Sequence, residues 1–101
     1  MKNINGQELR DLSSQDANAV LIDVRTAGEI SKGMIKDALH MDIMQPDFQS
    51  KLSDLDKSKT YFMICRSGNR SGQACMIMEQ MGFDKLYNLE GGMMHWDGET
   101  V

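Results

Sequence analysis

The sequence has 101 residues, with 11 Lys and Arg against 15 Asp and Glu, and a formal net charge of -4. This length predicts a single domain over residues 1–101, and the acidic balance argues against nucleic acid or an anionic membrane as the main partner. Residues 1–8 lack the apolar stretch of a secretory signal and no apolar run approaches the ~18 residues of a membrane span, which together predict a cytoplasmic protein.

Short apolar runs alternate with helical patterns along the chain, which predicts an α/β fold with a mainly parallel sheet. Strands are predicted, in chain order, at residues 2–4, 20–22, 38–41, 61–64 and 86–89. Helices are predicted between them at residues 7–12, 26–30, 47–55 and 70–81.

Residues that favour helix ends stand at the boundaries of these helices. Asn5 and Thr26 are expected N-caps, and Glu29 is the expected capping-box partner of Thr26. Gly82 follows the longest helix at the position where a glycine commonly ends one. The centre of that helix is apolar nearly all round, so a wide face is expected to pack against the sheet.

The segment from Cys65 to Ser71 has the residue types most suited to chemistry. It lies between a predicted buried strand and the longest helix, at the edge where open α/β sheets bind their ligands. A short loop with Gly68 that leads into a helix N-terminus turns several N–H groups inward as an anion cradle. The thiolate of Cys65, which is its nucleophilic form, is favoured by these N–H groups, by the helix dipole and by Arg66 and Arg70. The sequence therefore predicts a reactive sulfur beside an anion site.

The distribution of charge supports this prediction. Residues 57–78 contain no acidic residue and four basic ones, Lys57, Lys59, Arg66 and Arg70. A local positive zone on an acidic chain attracts a small anion without making the whole surface adhesive. The alternative, an inert polar loop at a strand end, does not explain why nucleophile, glycine, arginines and helix start occur together.

Residues 18–98 resemble the rhodanese (thiosulfate sulfurtransferase) family in its small, single-domain form. The matching pieces are residues 21–25 with Glu29 and Gly33, residues 61–71, Gly82 with Phe83, and residues 88–92 with Trp96. They cover most of the chain, and the loop at Cys65 is the most specific of them. One departure is Asp37, where the family usually has glycine, and it bears on local packing more than on catalysis.

This resemblance implies a rhodanese-like three-layer fold, with a five-stranded parallel sheet flanked by helices. It implies that Cys65 is the sulfur-accepting nucleophile. It also implies a substrate-binding loop made of Arg66, Ser67, Gly68, Asn69 and Arg70. Asp23 and Arg25 are assigned a chiefly structural role near the site, with Arg25 paired with Glu29. Ser71 is expected to cap the following helix rather than to bind the loop backbone.

Loop length separates two chemistries within the resemblance. Four residues separate Cys65 from Arg70, as in the sulfurtransferases of this fold. The related phosphatases and arsenate reductases have five residues there, a wider cradle that suits a tetrahedral oxyanion. The shorter loop leaves space for one terminal sulfur atom on the cysteine, so sulfur transfer is favoured.

The resulting hypothesis is a sulfurtransferase that moves a sulfane sulfur from thiosulfate, or from a related persulfide or polysulfide, through a Cys65 persulfide. The acceptor would be cyanide in an assay and a small thiol or thioredoxin-like protein in the cell, with no metal or organic cofactor required. The alternative is a sulfur-carrier or interaction module that a partner protein loads and that turns over little thiosulfate. No feature indicates an obligate interface, so a monomer or weak dimer is expected.

Other conspicuous residues are expected to be structural. Cys75 could resolve a persulfide, but a buried helical thiol is the commoner case. His40 and His95 do not combine with the cysteines in any zinc-binding spacing. Trp96 is expected in the core or in the wall of the site. Glycines 91 and 92 are expected to form a tight turn, and most of the ten methionines to fill the core.

Overall fold

The computed structural model describes residues 1–101. Its five strands are β1 (Lys2–Ile4), β2 (Ala19–Asp23), β3 (Leu39–His40), β4 (Thr60–Ile64) and β5 (Leu86–Leu89). They form one sheet in the order β1-β5-β4-β2-β3, and all the pairings are parallel. Each strand ends within one residue of its predicted bounds. The predicted α/β fold with a five-stranded parallel sheet is confirmed.

The helices occupy the connections between the strands. They are α1 (Gly6–Ser14), α2 (Ala27–Ile30), α3 (Phe48–Ser53) and α4 (Asn69–Gln80), and a 3-10 helix (Gly92–His95) follows β5. Asn5 and Thr26 are the N-caps of α1 and α2 as predicted, each within a complete capping box. Gly82, at φ 99°, ends α4, because its N–H and that of Phe83 satisfy the carbonyls of Glu79 and Met78.

The alternation of side chains along β4 divides the core into two layers. Tyr61 and Met63 face a cluster with the apolar residues of α3 and α4. Phe62 and Ile64 face the opposite cluster, which includes Leu9 of α1 and has Trp96 packed against it. Because side chains in a strand alternate with a period of two, the residue after Ile64 returns to the face of α3 and α4. This places Cys65 beneath the N-terminus of α4.

Strand order places the end of β4 in the middle of the carboxyl edge of the sheet. β4 pairs with β2 on one side and β5 on the other, and Asp23 is in register with Ile64. All five residues of β4 are buried, as expected of a central parallel strand. Segments that follow β2, β4 and β5 therefore meet around Cys65.

The wide buried face expected of α4 is confirmed, because Ala74, Cys75 and Met78 belong to the core cluster and Ile77 and Met81 pack against it. The expectation that most methionines fill the core is wrong, since only Met41, Met63 and Met78 are buried and four others, Met76 and Met94 among them, are exposed. Asp37 adopts φ 68°, a left-handed conformation that Asp tolerates better than most side chains. The backbone there thus keeps a glycine-like turn without a glycine.

Candidate active site

Cys65 lies at the bottom of the loop between β4 and α4. The residue has no exposed surface and belongs to the core cluster under α4. The backbone N–H of Gly68 donates a hydrogen bond to the Cys65 Sγ at 3.0 Å. Gly68 has φ 100°, a conformation that a residue with a Cβ rarely adopts. Glycine at this position therefore lets the loop turn a main-chain donor onto the sulfur.

Two opposing effects act on the thiol of Cys65. Burial raises its pKa, because a thiolate loses its hydration in the interior. Hydrogen bonds from the Ser71 hydroxyl and from the N–H groups of Ser71, Gly68 and Ser67 stabilise the thiolate, and together they bring the pKa below the ordinary value for cysteine. A larger fraction of this thiol is therefore in the nucleophilic form at neutral pH.

Ser71 does not cap α4, contrary to expectation. The helix begins at Asn69, one residue earlier than predicted, and its N-cap is Gly68. Ser71 consequently lies inside the first turn and is fully buried. Its Oγ lies 3.2 Å from the Cys65 Sγ and also within hydrogen-bond distance of Asn88 Oδ1. The serine therefore contacts the candidate nucleophile directly.

Asn88 reaches this group from β5, and the sequence analysis did not identify it. Its Nδ2 donates hydrogen bonds to Gly68 O at 3.2 Å and to Asn3 Oδ1 at 3.0 Å. One amide side chain thus braces the loop, the helix N-terminus and β1 together. Asn88 lies in residues 88–92, one of the pieces that resemble the family, but the resemblance assigned it no role at the site.

Arg70 forms an ion pair with Glu29 rather than standing free in the loop. Two hydrogen bonds of 2.7 and 2.8 Å join the guanidinium to the carboxylate. Hydrogen bonds from Arg70 lower the pKa of Glu29 to about 2, and those from Thr26 add to this against the opposing effect of burial. The capping box of α2 holds the carboxylate in place, so α2 positions the arginine of the loop.

The expected pairing of Arg25 with Glu29 is therefore wrong. Arg25 instead folds back onto Asp23, with hydrogen bonds of 2.8 to 3.1 Å to both carboxylate oxygens. It also donates to Gly33 O at 2.8 Å. Asp23 is completely buried and the side chain of Arg25 nearly so, which fits a pair that ties the end of β2 to the chain beyond α2.

The turn that follows β5 at Gly91 and Gly92 holds the base of the loop through main-chain hydrogen bonds. The N–H groups of Met93 and Met94 donate to the carbonyls of Cys65 and Arg66, each at 2.9 Å. A Cβ on Gly92 would overlap the same two backbone segments, so only glycine allows this close approach. The tight turn expected at these glycines is present, and it also holds the loop through these hydrogen bonds.

The remaining residues of the loop face outward. Arg66, Ser67 and Asn69 are exposed, and Arg66 forms no ion pair. A cleft of about 610 Å³ beside the loop is lined by Ser67, Asn69 and Asn88, among others. A slightly larger cleft of about 660 Å³ opens at the opposite edge of the sheet. Cys65 lines neither cleft, so the hydrogen bonds to its sulfur, rather than the volume of a cleft, point to the loop at Cys65.

Cys75, within α4, has an environment opposite to that of Cys65. It is fully buried in the core, and burial raises the pKa of its thiol to about 12. The closest polar contact of its Sγ is the carbonyl of Tyr87 at 3.9 Å. This thiol therefore remains protonated at neutral pH.

None of the helices is long and apolar enough to span a membrane.

Comparison with known proteins agrees with this geometry. Residues 5–99 match the family described as "Rhodanese-like domain". The "Putative sulfurtransferase YtwF" of Bacillus subtilis (strain 168) is 44% identical over 99% of this chain and 94% of its own length. The "Putative sulfur carrier protein YrkF" of the same organism is 31% identical over 84% of this chain and 45% of its own length. The crystal structure of a rhodanese-like domain protein from Staphylococcus aureus superposes with a TM-score of 0.87, at 29% identity over 100% of this chain and 97% of that one.

Proposed function

The chain belongs to the rhodanese-like domain family, whose matched relatives are named for sulfur transfer, and from that premise we propose that it transfers a sulfane sulfur through a Cys65 persulfide. The convergence of donors on the Cys65 Sγ carries the proposal, with the Gly68 N–H at 3.0 Å and the Ser71 Oγ at 3.2 Å. Such donors stabilise a sulfur that must both attack and leave as an anion.

The first half-reaction loads the cysteine. The Cys65 thiolate attacks the outer sulfur of thiosulfate, a sulfur–sulfur bond forms to Sγ, and the bond to the sulfonate group breaks. Sulfite leaves with the bonding electron pair, and the negative charge of the enzyme moves to the outer sulfur of the persulfide. Because Cys65 is fully buried, a small donor with a terminal sulfur reaches it more easily than a bulky one. A related persulfide or polysulfide fits the same requirement.

The second half-reaction removes the outer sulfur from the Cys65 persulfide. A nucleophile, cyanide in an assay or a small thiol or thioredoxin-like protein in the cell, attacks the outer sulfur, and the electron pair of the broken bond returns to the Cys65 Sγ. The donors that favour the thiolate then stabilise it as a leaving group. No step requires a metal or an organic cofactor. This chemistry needs a free thiol and so suits a reducing compartment such as the cytoplasm.

The loop residues have distinct roles in this proposal. Arg66 is exposed and unpaired, so its guanidinium is available to attract the anionic donor, with Ser67 and Asn69 beside it. Arg70 is fixed by Glu29 but has five N–H donors, so the ion pair leaves some of them for a departing sulfite. Asp23 and Arg25 have a structural role, since their ion pair ties the end of β2 to Gly33.

A sulfur carrier is the second candidate, because one relative is named as a carrier. A carrier would keep the same persulfide on Cys65 but would receive its sulfur from a partner protein and turn over little thiosulfate. A phosphatase or arsenate reductase is disfavoured by the four-residue spacing between Cys65 and Arg70. Hydrolysis of an aryl phosphate that disappears in Cys65→Ser would be needed to revive it.

Steady-state formation of thiocyanate from thiosulfate and cyanide tests the proposal. We expect saturation in thiosulfate and parallel double-reciprocal lines, since the two half-reactions share one covalent intermediate. Cys65→Ser should have no activity, and Cys75→Ala is the matched control that retains it. Negligible turnover by a folded, reduced protein that nonetheless takes up sulfur from polysulfide would support the carrier instead.

A further inference from the structure

The hydroxyl of Ser71 has one hydrogen and two acceptors. One acceptor is the Cys65 Sγ at 3.2 Å, and the other is Asn88 Oδ1, which lies even closer to the Ser71 Oγ. A hydroxyl can donate to only one of them at a time. Ser71 is fully buried and Asn88 is 6% exposed, so water does not readily replace whichever bond is missing. The two acceptors therefore compete for the same hydrogen.

The orientation of the Asn88 amide makes this competition unavoidable. Its Nδ2 donates to Gly68 O and to Asn3 Oδ1. The main-chain carbonyl of Gly68 cannot change from acceptor to donor, so a flipped amide would place two oxygens against each other. The Asn88 Oδ1 is thus directed towards Ser71 whatever the state of the sulfur.

The state of Cys65 decides where the hydrogen is. In the thiolate, the Sγ is charged and takes the Ser71 hydrogen, which leaves Asn88 Oδ1 facing a hydroxyl lone pair. In the persulfide, the charge is on the outer sulfur and the Sγ is a weak acceptor, so the hydrogen returns to Asn88. Asn88 is consequently satisfied in the loaded enzyme and unsatisfied in the empty thiolate.

We propose that Asn88 is a positioning residue that holds the Ser71 hydrogen when Cys65 carries sulfur and yields it when the thiolate is regenerated. The effect is to favour the persulfide over the free thiolate and to make the thiolate a more basic attacking group. The persulfide part of this proposal rests on the proposed function, whereas the effect on the thiolate does not. Asn88 acts through Ser71 and does not need to contact the sulfur donor.

The charged groups around the sulfur come from other elements and remain in place when Asn88 is changed. They are the Arg70–Glu29 pair from α4 and α2, the Asp23–Arg25 pair at the end of β2, and Arg66 in the loop, while Glu90 and His95 follow β5 in the chain. A change in the titration of Cys65 on replacing the neutral Asn88 therefore reports on hydrogen bonding rather than on altered charge.

The test is a thermodynamic cycle on the titration of Cys65. The rate of alkylation by iodoacetamide is measured against pH in wild type, Asn88→Ala, Ser71→Ala and the double variant, with peptide mapping to assign the modified thiol. We expect Asn88→Ala to lower the midpoint by roughly 0.5 to 1 pH unit, because the Ser71 hydrogen then belongs to the thiolate alone. In the Ser71→Ala background the same substitution should produce no shift.

Two further variants keep the test decisive. Asn88→Leu, which is close in size and has no acceptor, should reproduce the shift if Asn88→Ala folds poorly. Asn3→Ala is the matched control, since it removes a brace of Asn88 but leaves the Oδ1 in place, and it should leave the midpoint unchanged. No shift, an upward shift, or an equal shift with and without the Ser71 hydroxyl would overturn the proposal.

The equilibrium between the Cys65 persulfide and the empty enzyme provides a second measurement. At a pH above the titration midpoint of Cys65, where the empty enzyme is the thiolate, and at a fixed ratio of thiosulfate to sulfite, the ratio of loaded to empty Asn88→Ala should fall about threefold to tenfold, the same factor as the shift in titration. Unchanged loading would overturn the persulfide part of the proposal. Failure of the wild type to load any sulfur would instead contradict the proposed function, and the titration cycle would still decide the role of Asn88 towards the thiolate.

Discussion

The two cysteines of this chain are both fully buried, yet their thiols are shifted in opposite directions. At Cys65, hydrogen bonds from the loop and from Ser71 outweigh burial and bring the pKa below its ordinary value. At Cys75, which has no such donors, burial raises the pKa to about 12. Exposure therefore does not separate the thiol with the lowered pKa from the thiol with the raised one. The number of donors aimed at the sulfur does.

The difference in pKa arises from hydrogen bonds, from the Ser71 side chain and from main-chain N–H groups, more than from nearby charge. Cys65 stands at a strand end where Gly68 turns the chain into a helix, so main-chain N–H groups have no helical partner and point at the sulfur. Cys75 lies inside the same helix, where each N–H is already bonded to a carbonyl one turn earlier. Moving a cysteine along one segment thus changes its chemistry without changing its burial.

The largest effect on turnover is expected from replacing the sulfur of Cys65, and the replacement of Cys75 is its control. Cys65→Ser should lower thiosulfate:cyanide turnover by more than about a thousandfold, since a serine at this site forms no persulfide. Cys75→Ala should keep turnover within about twofold of wild type and lower stability by about 1 kcal/mol. Steady-state rates with urea unfolding of both variants check this pair, and a comparable loss of activity in Cys75→Ala would contradict it.

Alkylation should separate the two thiols by a smaller factor. At neutral pH the thiolate fraction of Cys65 exceeds that of Cys75 by about a thousandfold or more, but the lower intrinsic nucleophilicity of a low-pKa thiolate reduces the advantage to about thirtyfold. Peptide mapping after timed exposure to iodoacetamide measures both rates. Equal rates in the folded protein would show that the hydrogen bonds at Cys65 do not activate it.

Ser71→Ala makes Cys65 more like Cys75 by removing one donor. The pKa of Cys65 should rise by roughly one unit, so alkylation and sulfur uptake at neutral pH should fall by up to about tenfold. Because the defect is one of protonation, raising the pH should restore much of the rate. A loss that stays constant across the pH range would mean that the serine acts in some other way.

Glu29→Gln should have the smallest effect of the four changes. It should alter the free energy of unfolding in a way that depends on pH. The folded pKa of Glu29 is lowered from 4.5 to about 2, so the ion pair stabilises the fold fully above the unfolded value and loses this contribution as the pH falls towards 2. With both side chains 27% exposed, we expect a loss of about 1 kcal/mol at neutral pH.

Urea unfolding of wild type and Glu29→Gln at several pH values tests this. The difference in unfolding free energy should be constant from neutral pH to about pH 5 and should vanish near pH 2. A difference that persists at pH 2 would assign the loss to packing rather than to the ion pair with Arg70.

Features encoded within a few residues could be predicted from the sequence. The capping box of Thr26 and Glu29, the glycine that ends α4 and the loop that begins at Cys65 each depend on neighbours in the chain. The order of apolar runs was sufficient to predict an α/β fold with a mainly parallel sheet, and the resemblance implied its five-stranded form. The resemblance to a known family then suggested what the loop does.

Pairings between distant segments were not predictable in the same way. Glu29 and Arg70 are 41 positions apart and Ser71 and Asn88 are 17 apart, and no local pattern shows which side chains will meet. Arg25 was assigned to the wrong partner because Asp23 and Glu29 are both within reach of its long side chain, and only the bend of the chain after β2 selects between them.

The most direct test of the central claim is the intact mass of the reduced protein after incubation with thiosulfate and removal of the excess. The account predicts a gain of one sulfur atom that is lost on adding cyanide, is absent in Cys65→Ser and is retained in Cys75→Ala. No gain by a folded protein whose Cys65 thiol is shown to be free, or the same gain in Cys65→Ser, would contradict it.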